Sequence, residues 1–129
     1  MSQRVLVVED NDMNFTLVQF VLQRLGLDVQ RAKSGPEALD LVEAGAPDLI
    51  YMDIHLPGMD GLEVTRHLRA KEMTRKIPIV ALTALAMAGD QERALQAGCD
   101  GYLTKPVSAN DLRESVSRYL EGAAGKADA

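Results

Sequence analysis

The strongest constraint on the fold is an alternation, repeated five times, between short apolar runs and segments with helical periodicity. The apolar runs cover residues 5–9, 28–32, 49–53, 77–82 and 99–104. Short apolar runs bounded by turn residues are typical of buried strands, and strict alternation with helices favours a parallel sheet covered on both faces. Five strands are too few for an eight-stranded barrel. The sequence therefore predicts an α/β protein with a (βα)5 doubly wound, five-stranded parallel sheet of order 2-1-3-4-5, a flavodoxin-like fold.

Glycines and capping residues indicate where the helices between these runs begin and end. An apolar helical stripe stops at Gly26, which is typical of a glycine just past a helix C-terminus. Residues 34–37 and 60–63 have the form of capping boxes, and Ser108 is placed to open the last helix. The run at residues 28–32 is short and half polar, which indicates a strand at the edge of the sheet.

Composition narrows the class of protein. With 129 residues and 47% apolar content, the chain fits one domain with a sizeable core. The formal net charge of −5 argues against a general nucleic-acid binder. The single Cys99 excludes an intramolecular disulfide and suits a reducing compartment. No apolar run approaches the roughly 18 residues needed to span a bilayer, and residues 1–4 show no secretory pattern, so we expect a cytoplasmic protein without membrane association.

The domain is expected to cover residues 1–121. Residues 122–129 are mostly Gly and Ala, and we expect them to form a flexible C-terminal tail.

Charged and polar side chains follow four of the predicted strands. Glu9 and Asp10 follow strand 1, Asp53 ends strand 3, Thr83 follows strand 4 and Lys105 follows strand 5. Each of these residues alone is commonly a helix cap or a solvated surface group. In a sheet of this order, however, the loops after the strands converge on one crevice between strands 1 and 3. That convergence predicts a functional site.

The combination of residue types indicates phosphoryl chemistry. Three carboxylates at one sheet edge repel one another unless a divalent cation joins them, and Mg²⁺ prefers carboxylate and phosphate oxygens. Asp53 is placed to act as a nucleophile that forms an aspartyl phosphate. Lys105 and the hydroxyl of Thr83 are placed to bind phosphoryl oxygens.

Four sequence segments resemble the receiver domain of two-component response regulators, over about residues 4–119. They are VVEDN at 7–11, YMDIHLPGMDG at 51–61, ALTA at 81–84 and GYLTKP at 101–106. Their order and spacing make the resemblance specific. The segment from residue 83 to 90 is similar to stand-alone, single-domain receivers of cell-cycle and cell-division regulators, and to receivers attached to hybrid kinases.

The resemblance implies a function in phosphorelay signal transduction. Asp53 is then the residue phosphorylated by a histidine kinase or a histidine phosphotransfer protein. Asp10, Asp53 and the backbone carbonyl of His55 are expected to bind Mg²⁺, with Glu9 supporting the metal through water. Glu9 occupies a position at which many receivers have Asp, which puts the metal geometry in question. Such a protein is not an enzyme for other substrates and catalyses only its own phosphorylation and dephosphorylation.

The resemblance also implies how the signal is transmitted. Thr83 and Lys105 bind the phosphoryl group, and Thr83 and Tyr102 form a switch in which the ring turns inward. The Lys105–Pro106 peptide bond is expected to be cis. Leu85 offers no polar group to orient water, which indicates slow self-dephosphorylation. No effector domain follows helix 5 in this sequence, so output is expected through a protein partner bound at the face formed by helix 4, strand 5 and helix 5.

Four other functions share part of this pattern. The chain could be a receiver excised from a hybrid histidine kinase, or a scaffold that acts without phosphorylation, although its complete residue set speaks against the scaffold. A phosphatase of the haloacid dehalogenase type needs a second Asp two residues after the nucleophile, where this chain has His55. A flavin carrier needs phosphate-binding groups after strand 1, where acids would repel a phosphate.

Overall fold

The protein is described by a computed structural model that covers residues 3–84 and 88–120. Within these residues, strands and helices alternate. The strands are β1 (Arg4–Val8), β2 (Asp28–Ala32), β3 (Leu49–Asp53), β4 (Ile79–Thr83) and β5 (Gly101–Thr104). The helices are α1 (Asp12–Arg24), α2 (Gly35–Ala44), α3 (Gly61–Ala70), α4 (Ala88–Ala97) and α5 (Ala109–Tyr119). The expected tail at residues 122–129 and the position of Leu85 lie outside the described residues.

The sheet has the predicted topology. Its order is β2-β1-β3-β4-β5, and every neighbouring pair is parallel. The half-polar strand β2 lies at one edge, as its composition indicated. From β1 the chain crosses to β2 on one side, and from β3 it crosses to β4 on the other. The crevice of a doubly wound sheet lies at this reversal, beyond the carboxyl ends of β1 and β3.

The core consists of two apolar layers, one on each face of the sheet. Alternate strand residues contribute to opposite layers, because successive side chains of a strand point to opposite faces. One layer packs against α2, α3 and α4, and its strand residues include Leu6, Val8, Ile50, Met52 and Ile79. The other packs against α1 and α5, and its strand residues include Val5, Val7, Leu49, Tyr51 and Val80. In the described ranges, no helix combines the length and apolarity required to cross a membrane.

The expected start of strand 4 at residue 77 was wrong. The N–H of Ile77 donates to the carbonyl of Thr74 in the preceding turn, and Pro78 has no N–H to donate. The strand therefore begins at Ile79 and includes Thr83, which the sequence had placed just after it.

The start of strand 5 also differs from expectation. Strand 5 begins at Gly101 rather than residue 99, because the N–H of Cys99 donates to the carbonyl of Ala94 near the end of α4. Strand 1 ends at Val8, so Glu9 lies in the loop that follows it, as predicted. The apolar runs therefore predicted which segments form strands, but they also included apolar residues of the preceding turns.

The predicted end of α1 is confirmed by its hydrogen bonds. Gly26 has a φ of +83°, a conformation that glycine adopts without the strain of a Cβ. Its N–H donates to the carbonyl of Gln23, and the N–H of Leu27 donates to that of Leu22. This paired arrangement satisfies carbonyl groups that the helix leaves free at its C-terminus.

The predicted helix starts at Ser34, Asp60 and Ser108 are confirmed too. In each case the side-chain oxygen accepts a hydrogen bond from the backbone N–H three residues later. At α2, the Glu37 carboxylate reaches back to the N–H of Lys33, at 2.7 Å, one residue before the expected partner Ser34. These caps fix the helix starts that follow the strand ends.

Candidate functional site

The predicted site residues lie together beyond the carboxyl end of the sheet. Val8 of β1 pairs with Met52 of β3, so the residues after them, Glu9 and Asp53, occupy neighbouring positions. The last residue of β4, Thr83, pairs with Thr104 of β5. The sheet register therefore brings the ends of four strands to one place.

Three carboxylates form a cluster at the ends of β1 and β3. Glu9, Asp10 and Asp53 each offer an oxygen within 4.8 Å of the others. Glu9 and Asp53 are almost fully buried, with 1% and 2% of their surface exposed, whereas Asp10 is exposed. The cluster thus has a buried floor and an open side through which an ion can enter.

Lys105 provides the positive charge of the site. Its Nζ lies 2.7 Å from Oε1 of Glu9 and 3.0 Å from Oδ2 of Asp53. The backbone N–H of Lys105 donates to the carbonyl of Thr83, which ties the loop after β5 to β4. The Lys105–Pro106 peptide bond is cis, as the resemblance implied.

Backbone N–H groups hold the other oxygen of each buried carboxylate. The N–H of Asn11 donates to Oε2 of Glu9 at 3.1 Å. The N–H of His55 donates to Oδ1 of Asp53 at 2.9 Å. Both carboxylates are therefore fixed by local turns of two residues, and their orientation is set before any ligand binds.

Burial and charge act against each other in this cluster. Burial raises the pKa of Glu9; the hydrogen bond from Lys105 opposes that shift, and the charge of Asp53 reinforces it. Burial alone would lower the pKa of Lys105, but its hydrogen bonds to Glu9 and Asp53 outweigh that effect and raise the pKa. The ammonium is accordingly held in its charged form.

Thr83 ends β4 at the site, whereas Tyr102 lies on β5 beside Ala81, two residues further from that end of the sheet. Oγ1 of Thr83 is buried and has no hydrogen-bond partner among residues 3–84 and 88–120. The ring of Tyr102 on β5 is 39% exposed. A buried hydroxyl without a partner is uncommon, because its desolvation is left uncompensated. Thr83 therefore carries a hydrogen-bonding group at the end of β4 that is unused within the described residues.

The residues fit a hard divalent cation. Three carboxylates supply oxygen donors of the type that Mg²⁺ selects, and one ammonium leaves the cluster with excess negative charge. The side chain of His55 instead points towards α4, where Nε2 lies 3.6 Å from Oδ2 of Asp90. Its backbone carbonyl stays a predicted ligand.

Two residues that support the site were missed by sequence reasoning. Gly61 begins α3, and a Cβ at this position would collide with the backbone carbonyl of Asp53. The glycine directly after the capping residue Asp60 was a signal that could have indicated this close approach. Arg31 on β2 contacts the loop that carries Glu9 and Asp10. A charged residue near the end of a strand next to β1 was the corresponding signal.

Comparison with known proteins identifies the same family that the four sequence segments resemble. The family model described as "Response regulator receiver domain" matches residues 5–117. The polar-differentiation response regulator DivK of Brucella ovis is 46% identical over 120 residues, which cover 93% of this chain and 98% of DivK.

Solved structures agree with this sequence match. The receiver domain of a Pseudomonas aeruginosa sensor histidine kinase, with a magnesium ion coordinated in its active-site cleft, superposes with a TM-score of 0.86 at 41% identity, covering 92% of this chain and 98% of that one. A Saccharomyces cerevisiae response-regulator receiver domain, co-crystallised with a histidine phosphotransfer protein, gives a TM-score of 0.85 at 33% identity, covering 92% and 88%. The chain therefore belongs to the family of response regulator receiver domains, which function in phosphorelay signalling.

Proposed function

We propose that Asp53 accepts a phosphoryl group from a histidine kinase or a histidine phosphotransfer protein. The observation that carries this proposal is the position of the Lys105 ammonium, 3.0 Å from Asp53 and 2.7 Å from Glu9. An ionised carboxylate needs no general base to act as a nucleophile, and phosphoryl transfer depends mainly on positioning and charge neutralisation.

The transfer step uses the side chains already fixed at the site. An oxygen of Asp53 forms a bond to phosphorus while the bond between phosphorus and the donor's imidazole nitrogen breaks. The leaving nitrogen takes a proton from water, and the donor is released as a free histidine. Lys105 moves its hydrogen bond from Asp53 to a phosphoryl oxygen. The hydroxyl of Thr83, which has no partner within the described residues, donates to a second phosphoryl oxygen.

We assign Mg²⁺ to the carboxylate cluster. Asp10, Asp53 and the backbone carbonyl of His55 would hold the ion, with Glu9 acting through water. When bound, the ion supplies neutralisation of charge on the phosphoryl oxygens. The magnesium ion in the cleft of the Pseudomonas receiver supports this assignment. Beyond catalysing its own phosphorylation and dephosphorylation, the chain is proposed to have no enzymatic activity.

The proposed output surface is the face formed by α4, β5 and α5. This face contains a groove of about 430 Å³, whose lining includes Leu95, Tyr102 and Tyr119. Movement of the Thr83 hydroxyl towards a phosphoryl group would free space for the ring of Tyr102 to turn inward. The turn would change the floor of the groove, and a downstream protein would recognise the difference.

The proposed docking surface for the phosphodonor is an apolar stripe on α1, formed by Met13, Leu17 and Phe20. All three side chains are more than half exposed, and their spacing places them on one helix face. Leu17 also lines a small cavity with Lys105 and Glu9, so the stripe borders the site. A donor histidine must reach Asp53, so its protein has to contact this border. The yeast complex supports a phosphotransfer protein as the occupant.

We propose that residues 1–121 form the receiver domain and that phosphorylation does not require residues 122–129. The match of the family model to residues 5–117 supports this division. A cytoplasmic location is proposed from the single cysteine, which suits a reducing compartment. The likeness to a sensor-kinase receiver means that the same chemistry applies if the chain is part of a longer protein.

The test is incubation with Mg²⁺ and a small acyl-phosphate donor, followed by intact-mass measurement. The wild-type chain should gain one phosphoryl group, and Asp53→Asn should gain none. Asp60→Asn is the matched control, because it removes a nearby carboxylate and keeps an oxygen that can cap α3. Full labelling of Asp53→Asn would overturn the assignment of the acceptor.

A further inference from the structure

Arg31 on the edge strand β2 makes several contacts with the loop between β1 and α1. Its Nε donates to the backbone carbonyl of Glu9 at 3.1 Å. Its Nη2 donates to the carbonyl of Asp10 at 3.3 Å and lies 2.8 Å from Oδ1 of Asp12. One guanidinium therefore contacts three of the four residues from Glu9 to Asp12.

The surroundings of Arg31 hold the guanidinium in this place. Sheet register pairs Arg31 with Val7, two residues before Glu9, so its side chain reaches the loop directly beyond β1. The ring of Phe15 on α1 lies 4.6 Å from the guanidinium, a distance typical of a cation–π contact. Only 19% of the Arg31 side chain is exposed. A planar guanidinium with fixed donors orients several acceptors at once.

We propose that Arg31 is a positioning residue that holds the β1–α1 loop in the conformation that binds a divalent cation. The inference rests on the proposed function of the site as a magnesium-dependent phosphoryl acceptor. Arg31 acts through the backbone of Glu9 and Asp10 rather than by touching the ion or the phosphoryl group. Its ion-pair partner is Asp12, which lies outside the three-carboxylate cluster, so the guanidinium leaves those carboxylates available.

The sign of the effect separates positioning from simple charge. Arg31 places a positive charge beside a cation site. If it acted only through that charge, its removal would strengthen binding of a divalent cation, because repulsion would decrease. If it positions the loop, its removal weakens binding, because Glu9 and Asp10 lose the contacts that orient them. Residues that orient metal ligands typically contribute about 10-fold or more to metal affinity.

Lys33 provides the matched control. It lies two residues beyond Arg31, and its Nζ is 3.9 Å from Oδ1 of Asp12. Its side chain is 62% exposed, whereas the side chain of Arg31 is largely buried. Lys33→Gln therefore removes the same charge from the same acidic loop without removing a contact to the carbonyls of Glu9 and Asp10.

The experiment is calorimetric titration of Mg²⁺ into the full chain at constant ionic strength, without phosphodonor. We expect Arg31→Gln to weaken Mg²⁺ affinity by about 10-fold. Lys33→Gln should leave the affinity unchanged or slightly increase it. Arg31→Lys should also weaken binding, since it keeps the charge but lacks the guanidinium fork, and it tests the proposal if Arg31→Gln does not fold. Urea unfolding of each variant verifies that the titrated protein is folded.

The outcomes are distinguishable from failure of the proposed function. If the wild-type chain does not bind Mg²⁺, the magnesium site itself is wrong. If the wild type binds Mg²⁺ and folded Arg31→Gln binds it equally well or more tightly, the positioning role is overturned. An equal loss of affinity in Arg31→Gln and Lys33→Gln would also overturn it, because Lys33 makes no contact with the carbonyls of Glu9 and Asp10 and the loss could then not be assigned to those contacts.

Discussion

The ammonium of Lys105 lies 3.0 Å from Oδ2 of Asp53, although β4 lies between β3, which ends at Asp53, and β5, which Lys105 follows. The lysine side chain must therefore span the end of β4, where the hydroxyl of Thr83 has no hydrogen-bond partner among the residues that the structure describes. A phosphoryl group attached to Asp53 would enter a space bordered by an ammonium and a hydroxyl. This relationship connects the order of the strands to the chemistry of the site.

Replacement of Lys105 by Met is expected to destabilise the protein. The change leaves two buried carboxylates, Glu9 and Asp53, without their counter-charge, which costs on the order of 3 kcal/mol. Added Mg²⁺ should restore part of the lost free energy of unfolding, because the ion replaces the missing charge. Urea unfolding with and without Mg²⁺ measures both effects. Lys33→Met, at an exposed site, should change stability little; an equal loss in both variants would contradict the central role of Lys105.

Replacement of Thr83 by Val should separate folding from signalling. Thr83 Oγ1 makes no hydrogen bond within the described residues, so an isosteric methyl group removes an uncompensated polar group. We expect the unphosphorylated protein to be as stable as the wild type or up to about 1 kcal/mol more stable. Phosphorylation by a small donor should be slower, because a phosphoryl oxygen loses its donor. Thr83→Ser should retain the wild-type rate, and a marked loss of stability in Thr83→Val would contradict the account.

The buried Tyr51 predicts a specific dependence of stability on high pH. Burial raises the pKa of Tyr51 to about 12, from an ordinary value of 10.0. The unfolded chain therefore ionises first, and the stability that is complete below pH 10 is lost as the pH rises towards 12. Tyr51→Phe should lower the free energy of unfolding by about 1 kcal/mol at neutral pH, because the hydrogen bond to Ser115 is lost. Above pH 10, the free energy of unfolding of this variant should fall less than that of the wild type, because no buried phenol is left to ionise.

Thermal unfolding at pH 7 and pH 11 tests this prediction. Tyr102→Phe is the control, because that ring is exposed and its hydroxyl has no comparable burial. A pH dependence in Tyr51→Phe that is as steep as in the wild type would show that Tyr51 does not cause the alkaline loss.

Gly61 is expected to tolerate no side chain. A Cβ there would collide with the carbonyl of Asp53. We therefore expect Gly61→Ala to displace the end of β3 and to lower the free energy of unfolding by on the order of 2 kcal/mol. Phosphorylation should fall with it. Gly89→Ala is the control, because among the described residues no atom from outside its own helix backbone lies within 4 Å of a Cβ at that exposed helical position. The test compares the free energies of unfolding and the phosphorylation rates of both variants. If Gly61→Ala changes neither quantity, Gly61 does not lie as close to the carbonyl of Asp53 as described.

The sequence predicted the sheet order because strands and helices alternate strictly along the chain. In a doubly wound sheet of that order, the loops after the central strands converge on one crevice, so the acids, the lysine and the threonine at these strand ends were expected to lie close together. The beginning of β4 was not predictable from apolarity, since Ile77 is apolar but bonded into a turn. Arg31 was overlooked because its role depends on register with Val7 and on the path of a loop. The polar residues of β2 had indicated only an edge strand, but one of them, Arg31, contacts the loop after β1.

Asp53 is the residue proposed to become phosphorylated, and every other role at the site depends on it. The most direct measurement is the position of the modification in the wild-type chain after treatment with Mg²⁺ and an acyl-phosphate donor. Borohydride reduction converts an aspartyl phosphate to homoserine, which tandem mass spectrometry locates in a peptide. We expect homoserine at position 53 and none when a chelator removes Mg²⁺. Homoserine at another aspartate, or unchanged labelling without Mg²⁺, would contradict it.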